Sequence, residues 1–436
     1  MKKKQAWIIS VDMGYGHQRA AYPLKDIAFD RIITANSDKI VTPKEAKTWR
    51  RFRSSYELVS RLRSVPFIGK YLWKSYDKLQ SIASYYPLRD LSKPNWGTIY
   101  LHNLLKKGFL SSVVEYTKKE EIPFVSTFFA PALAAAHAKR KEVYCVVTDT
   151  DINRIWAPSN PKEVDINYFT PTEHSTKRLQ AYGIEENRIF FTGFPLPKEN
   201  TGPDMSILKR DLGYRLPNLD PKKIYLSRYR DLIRKELGGF YKTKSNHPLT
   251  LTYTVGGAGA QMAIGDALLY SLQHRIRKHQ IRVNLVAGTR PDVSHHFTTV
   301  VEHLKLGHEL DHYINIMYAP KKKDHFARFN ALLHETDILW TKPSELVFYV
   351  ALGIPLIIAP PLGAHEITNA QWLIRMGSGI QQEDPHYVNE WLFEWLDRGL
   401  FAEAAFEGFI EAPKYGTYNI EKVLFSKNKK NLRFKA

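Results

Sequence analysis

The sequence predicts an α/β protein made of two doubly wound halves, each a parallel sheet with helices on its faces. Two observations carry this. A unit of apolar strand, glycine-rich turn and helix opens the chain at QAWIISVDMGYGHQRAAYPLKDIAF and recurs at PLTLTYTVGGAGAQMAIGDALLYSLQHRI. Short apolar segments alternate with helical stretches after each opening, the rhythm that βαβ crossovers impose. The length of 436 residues, 44% of them hydrophobic, is ample for two cores.

After the first opening come strand candidates at 123–129, 142–149, 166–172 and 188–193; after the second, at 281–288, 313–320, 337–343 and 354–361. In the second opening, Leu249, Leu251, Tyr253 and Val255 alternate as in a strand. Ile264, Leu268 and Leu272 then recur at helical spacing. The expected organisation is an N-terminal domain over 1–200 with an insertion at 44–92, and a linker or insertion over 201–246. A second domain follows over 247–384, then C-terminal helices and a basic tail over 385–436 that pack back on the first domain. LPNLDPKK and TKSNHP read as loop within the linker, and YRDLIRKEL as a short helix.

The start, MKKKQAWIISVDMG, has too short an apolar run for a signal peptide and reads as a first strand. The most apolar stretch, LVFYVALGIPLIIAPPLG, is broken by Gly353, Pro355 and Pro360-Pro361, so no transmembrane span is expected. The single cysteine, Cys145, lies in VYCVV and reads as a buried structural thiol in a reducing compartment.

A net charge of +19 calls for an anionic partner. Between Lys39 and Lys78 stand 11 Lys and Arg against three acids, with seven aromatics interleaved. Leu58, Val59, Leu62, Val65 and Phe67 form an apolar stripe with Arg50, Arg51, Arg53, Arg61 and Arg63 at its margins. One reading is a solvated basic helix on the core. Another is a surface lying on anionic lipid, with Phe67, Tyr71 and Trp73 dipping inward. Nucleic acid is not expected, since no zinc knuckle, RNP-type sequence or helix-turn-helix accompanies the charge.

Two regions carry the chemistry. In VGGAGAQ, the glycines Gly256, Gly257 and Gly259 follow a strand and let backbone N–H groups approach a diphosphate. It is not GxGxxG, and AGTRPD at the next strand's end has no acid in the ribose position, which argues against a NAD-type site. In TKPSELVFYVALGIPLIIAPPLGAHEITNAQWL, Pro343-Ser344-Glu345 open a helix that Gly353 closes. A loop with His365, Glu366 and Asn369 opens the next helix. Two helix N-termini thus meet at the carboxyl ends of adjacent strands, where such folds bind ligands. His17, after Gly14 and Gly16, is open to two roles on its residues alone, a catalytic imidazole or a helix cap. Glu173 and His174 read as the start of a helix, and the remaining histidines lack metal-ligand spacing.

GYGHQRAA, VVTDTDINRIWAPSNPKEVDINYFTPTEHSTKRLQAYGIEENRIFFTGFPL, VGGAGAQ and TKP…GIPLIIAPP…HEITNAQWL occur in the order found in one group of GT-B glycosyltransferases. The chain resembles monogalactosyldiacylglycerol synthases and processive diacylglycerol glucosyltransferases and, more distantly, the N-acetylglucosaminyltransferase that forms lipid II. SVPFIGKYLWKSYDKLQSIASYYP is similar to the membrane-docking region of the diacylglycerol enzymes. The resemblance implies two Rossmann-like domains facing a cleft, with acceptor on the first and a nucleotide sugar, usually UDP-linked, on the second. It implies inverting transfer of a hexose or N-acetylhexosamine to a membrane-lipid hydroxyl, with no metal and no cofactor beyond the nucleotide sugar. It also implies a cytoplasmic enzyme peripheral to the inner face of the membrane. His17 matches the histidine of the family's Gly-Gly-Gly-His loop and is the candidate base; Asp149 in VVTD would orient it or serve as the base itself. Gly256, Gly257, Gly259 and Ser344, with Arg290 or Lys342, would meet the leaving-group charge. The sequence departs from the family in TKPSELVFYVALG: counting back from Gly353, the usual ribose-binding Glu falls on Phe348, with Glu345 one turn earlier. The family's later Gln-Glu pair reads His365-Glu366, with Asn369 retained. A nucleotide-sugar 2-epimerase of the same fold, or a non-catalytic nucleotide-sugar or lipid binder, are the alternatives.

Overall fold

A computed structural model describes residues 4–51, 82–255, 261–429, 432 and 434. The chain divides into two compact units. One holds the residues up to Pro195, with 363–368 and the stretch from Tyr415 onward; the other holds Leu196–Leu362 and Asn369–Lys414.

The first unit is built on β1 (Ala6–Ser10), β2 (Ala28–Thr34), β3 (Phe124–Ser126), β4 (Val143–Val146), β5 (Asn167–Thr170) and β6 (Ile189–Phe191). They form one sheet in the order β2-β1-β3-β4-β5-β6, every ladder parallel. Both faces are covered, so the strands read as apolar runs rather than alternating ones. Trp7, Ile9, Phe124, Val143, Cys145 and Tyr168 enter one core, beneath α2 (Trp96–Lys106), α3 (Ser111–Thr117), α4 (Phe129–His137) and α5 (Glu173–Ala181). Their neighbours Ala6, Ile8, Val125, Tyr144, Val146 and Phe169 enter the other, shared with α1 (Gly16–Ala21) through Ala21. Helix α5 begins at Glu173, as the sequence predicts, behind a capping box of Thr172 and Ser175.

The second unit's sheet is β7 (Thr250–Thr254), β8 (Arg282–Gly288), β9 (Ile314–Tyr318), β10 (Ile338–Thr341), β11 (Leu356–Ile358) and β12 (Gly379–Gln381). Its order, β12-β11-β10-β7-β8-β9 and all parallel, is the doubly wound order in which the first strand lies centrally beside the fourth. Around it lie α6 (Ser206–Leu219), α7 (Ile224–Arg228), α8 (Arg230–Leu237), α9 (Met262–Arg277), α10 (Pro291–His303), α11 (Lys322–Leu332), α12 (Ala364–Arg375), α13 (Val388–Asp397) and α14 (Leu400–Glu411). Helix α9 packs so closely on α10 that a Cβ on Gly265 would lie 2.7 Å from the Phe297 ring.

The segment before β7 is folded into this unit. Helix α6 runs through Pro217, where a loop is expected, because its buried Leu212, Leu216 and Leu219 outweigh one lost hydrogen bond in the last turn. The fully buried Arg215 guanidinium donates to the carbonyls of Leu333, Thr336, Leu352 and Gly353 at 2.6–3.2 Å. The buried Asp337 carboxylate accepts from Asn218 Nδ2 at 2.9 Å and the Thr250 amide at 2.8 Å, with His247 Nε2 at 3.1 Å.

Of the C-terminal helices, α13 and α14 belong to the second unit, and α15 (Gly416–Phe425) to the first. Ile420, Val423 and Leu424 of α15 close the core over β1, β4 and β5.

Candidate functional site

In an open parallel sheet, ligands bind outside the carboxyl ends of the strands where the strand order reverses. In the first sheet that point lies between β1 and β3, and the loop leaving β1 there is Val11–Tyr15. Asn36 clasps it: the Asp12 amide donates to Asn36 Oδ1 at 2.7 Å, and Asn36 Nδ2 donates to the Asp12 carbonyl at 2.9 Å. Gly14 has φ +93°, which an L side chain resists, and this turns the chain into α1 at Gly16. A shallow pocket lined by Asp12, Met13, Asn36, Ser37, Trp49 and Arg50 opens beside the loop.

His17 follows. Its Nδ1 lies 2.8 Å from the carbonyl oxygen of Thr127, the residue that follows β3. A carbonyl only accepts, so the neutral ring carries its proton on Nδ1 and Nε2 is the basic nitrogen. Thr148 Oγ1 stands 3.2 Å from the same Nδ1, and Thr127 Oγ1 donates to the His17 carbonyl at 2.7 Å. The imidazole packs edge-on against Phe128, centroids 4.7 Å apart, with Trp156 at 6.3 Å. The ring is thus tied across the switch point to the ends of β3 and β4. Asp149 follows Thr148 directly and is half-buried.

Two residues on, Asp151 is the centre of a cluster that sequence reasoning missed. Arg178 grips its carboxylate with Nε and Nη2, both at 2.8 Å, and His174 Nε2 stands 2.9 Å from Oδ2. Burial works against ionisation of Asp151, but the bonds from His174 and Arg178 outweigh it and hold the carboxyl below its usual range. Tyr85 closes the cluster, 4.8 Å from the His174 ring and 5.3 Å from the Arg178 guanidinium carbon. The available signal was spacing: His174 and Arg178 are one helical turn apart, which puts both on one face of α5 opposite the acidic TDTD loop.

In the second sheet the switch point lies between β7 and β10. Thr254 Oγ1 donates to Thr341 Oγ1 at 2.7 Å where the two strands end. Gly256, Gly257 and Gly259 lie outside the described residues. The described end of their loop is held: Tyr253 Oη donates to the Gln261 carbonyl at 2.6 Å, and Gln261 Nε2 donates to the Pro360 carbonyl at 2.9 Å. After β10, Lys342 and Ser344 are half-buried, with the Ser344 amide on the Lys342 carbonyl at 2.8 Å. A 3-10 helix, Glu345–Leu352, follows and is buried throughout, ending at Gly353 in the left-handed region, φ +64°. Asn369, fully buried, donates to the Pro343 carbonyl at 3.2 Å, which brings it to Lys342 and Ser344. His365, half-buried, and Glu366, buried, stand in the first turn of α12, within the 363–368 stretch that groups with the first unit.

One expected donor residue is engaged locally. Arg290 forms a bidentate pair with Asp292 at 2.8 and 2.5 Å, and that hydrogen bonding draws the exposed Asp292 carboxyl down to about 2. Phe348, the position where the sequence resemblance would put a ribose-binding Glu, packs against Trp372 with centroids 5.5 Å apart. Burying a phenyl ring there gains roughly 2 kcal/mol, whereas a carboxylate would lose its hydration at a cost of several kcal/mol. Glu345 is buried one turn earlier.

Of the expected membrane-docking residues, Arg50 and Arg51 are exposed; the described residues 43–51 are helical. The inner face of that stretch is fixed by Trp49, 5.1 Å from the Phe109 ring, and by Glu45, which accepts the Ser112 amide at 3.1 Å. Arg53, Phe67, Tyr71 and Trp73 lie outside the described residues. Beyond them Tyr86, Leu88, Trp96, Ile99 and Tyr100 are all exposed, Trp96 and Tyr100 stacked at 5.4 Å. Among the described residues no helix is long and apolar enough to cross a membrane.

Residues 240–422 match the model of a domain of unknown function, DUF6938. No curated protein matches the chain. Solved structures similar to it include MurG of Acinetobacter baumannii, at 13% identity over 97% of this chain and 99% of that one, TM-score 0.46. The UDP-GlcNAc 2-epimerase of Neisseria meningitidis bound to UDP-GlcNAc is similar at 14% identity over 77% and 82%, TM-score 0.45. Anabaena HepE in complex with UDP and glucose is similar at 11% identity over 97% and 100%, TM-score 0.42.

Proposed function

We propose that the protein transfers a hexose or N-acetylhexosamine from a nucleotide sugar, UDP-linked, to a hydroxyl of a membrane lipid such as diacylglycerol, with inversion and without a bound metal. The observation that carries this reading is His17, tied through Nδ1 to the end of β3 at the switch point of its sheet, with Nε2 as its basic nitrogen. In the proposed step Nε2 takes the acceptor O–H proton as that oxygen attacks the anomeric carbon. The bond to the nucleotide breaks on the opposite face, and the diphosphate leaves with its electron pair. Asp149, next to the His17 partner Thr148, would stabilise the imidazolium. Lys342, Ser344 and Asn369, with the glycine loop Gly256, Gly257 and Gly259, would bind the donor and offset the leaving charge. Glu345, His365 and Glu366 are further donor-site candidates, while Arg290 serves less well because Asp292 already neutralises it.

The membrane part of the reading is supported by the exposed Tyr86, Leu88, Trp96, Ile99 and Tyr100, interspersed with exposed Arg89, Asp90 and Lys93, and by exposed Arg50 and Arg51 on the same unit. A peripheral enzyme on the inner, anionic face of the cytoplasmic membrane fits this surface.

The packing of Phe348 on Trp372 favours one second reading, a nucleotide-sugar or lipid binder without turnover. Incubation with radiolabelled UDP-sugars and mixed-lipid vesicles separates the possibilities. Labelled lipid with release of UDP is the expected result. Nucleotide binding without turnover would establish the binder, and isomerised donor without UDP release would establish an epimerase.

A further inference from the structure

The second unit carries an amphipathic, basic outer surface that none of the site chemistry uses. Helices α7 and α8, joined at Tyr229, span 224–237, and residues 222–237 hold six Lys and Arg against two acids. The inner side of the pair is fully committed to the fold. Tyr225, Leu226, Ile233 and Leu237 are buried, Tyr225 lies 6.4 Å from Phe406 of α14, and Asp220 accepts the amides of Ile224 and Leu226 at 2.8 Å each. Ile224, Tyr229 and Leu232 are therefore surplus to the core, and they stand outward at 49%, 41% and 46% exposure. Around them Lys223, Arg228, Arg230, Arg234 and Lys235 are all exposed.

We infer that this surface docks onto an anionic lipid bilayer. Single exposed apolar residues are ordinary, but three in nine residues of a basic helical segment match an interfacial helix: aliphatic and aromatic groups at the depth of the acyl boundary, cations at the phosphates. Charge complementarity selects the occupant, since each Lys or Arg near an anionic leaflet adds favourable energy. Nucleic acid would use the cations and a stacking ring but gain nothing from Ile224 and Leu232. The inference rests on the membrane reading above and adds to it a bilayer contact of the second unit's own.

The test is co-sedimentation of the full chain with phosphatidylglycerol-containing and pure phosphatidylcholine vesicles. Three variants are compared: Arg228→Gln/Arg230→Gln/Arg234→Gln, Ile224→Ser/Tyr229→Ser/Leu232→Ser, and Trp96→Ser/Tyr100→Ser on the first unit. Thermal unfolding confirms that each folds. The first two variants should each lose about tenfold or more in partitioning to anionic vesicles. Loss only in the Trp96/Tyr100 variant would overturn this inference and leave the membrane reading standing. Equal binding of wild type to phosphatidylcholine would overturn this inference alone, and no vesicle binding at all would overturn both. So would an RNA oligonucleotide, and not vesicles, as the ligand that the arginine variant loses.

Discussion

A histidine becomes a base through its second nitrogen, and at His17 the first is held by the Thr127 carbonyl. The glycine that replaces nothing in space, Gly14, matters for the same reason: its positive φ sets where α1, and hence the imidazole, begins. Asp151 is the residue-scale counterpart on the structural side. Its folded carboxyl is held below its usual range by His174 and Arg178, so the stability it adds is complete above the unfolded value, about pH 4. That stability is lost as pH falls through the lower folded value. Asp151→Asn should therefore destabilise the protein at neutral pH and flatten the acid limb of its urea-unfolding profile. An unchanged limb would show that the cluster does not contribute.

At the scale of elements, the two candidate loops follow the central strands β1 and β7, each beside the strand where its sheet's order reverses. Burial explains which strands were legible. Ten of twelve are visible as apolar runs; of the two missed, β2 has one buried residue and β12 none, whereas the legible edge strands β6 and β9 keep two each. β2 is further broken where Asp30, at φ +63°, interrupts its register with β1 and sends Arg31 to Asp38. The turn at Gly14 and the TKP segment were legible because turn chemistry is local. The Asp151 cluster and the Thr127 tether were not, because each joins residues that only the sheet brings together. Arg215 belongs to this scale too, linking α6 to four carbonyls of the second unit. Arg215→Leu leaves those acceptors unsatisfied and should cost roughly 3–5 kcal/mol in chemical denaturation. A change under about 1 kcal/mol would mean water or rearrangement replaces it.

For the whole molecule, the charge of +19 is not spread evenly. Each unit bears its own basic surface with outward aromatics and aliphatics: Arg89 and Lys93 among Tyr86–Tyr100 on one, Arg228–Lys235 with Ile224 and Leu232 on the other. Vesicle binding by the wild type should accordingly weaken steeply as salt rises from 50 to 500 mM, about the range over which the screening length falls below 10 Å. Salt-independent binding would point to apolar insertion alone. The proposed chemistry turns on one nitrogen, Nε2 of His17. His17→Gln can keep a donor toward the Thr127 carbonyl but has no base, so UDP-sugar-to-lipid transfer, measured with calorimetric UDP affinity, tests it most directly. Transfer should fall by about 10²–10⁴ while UDP affinity stays within twofold, and a fully active variant would contradict the assignment.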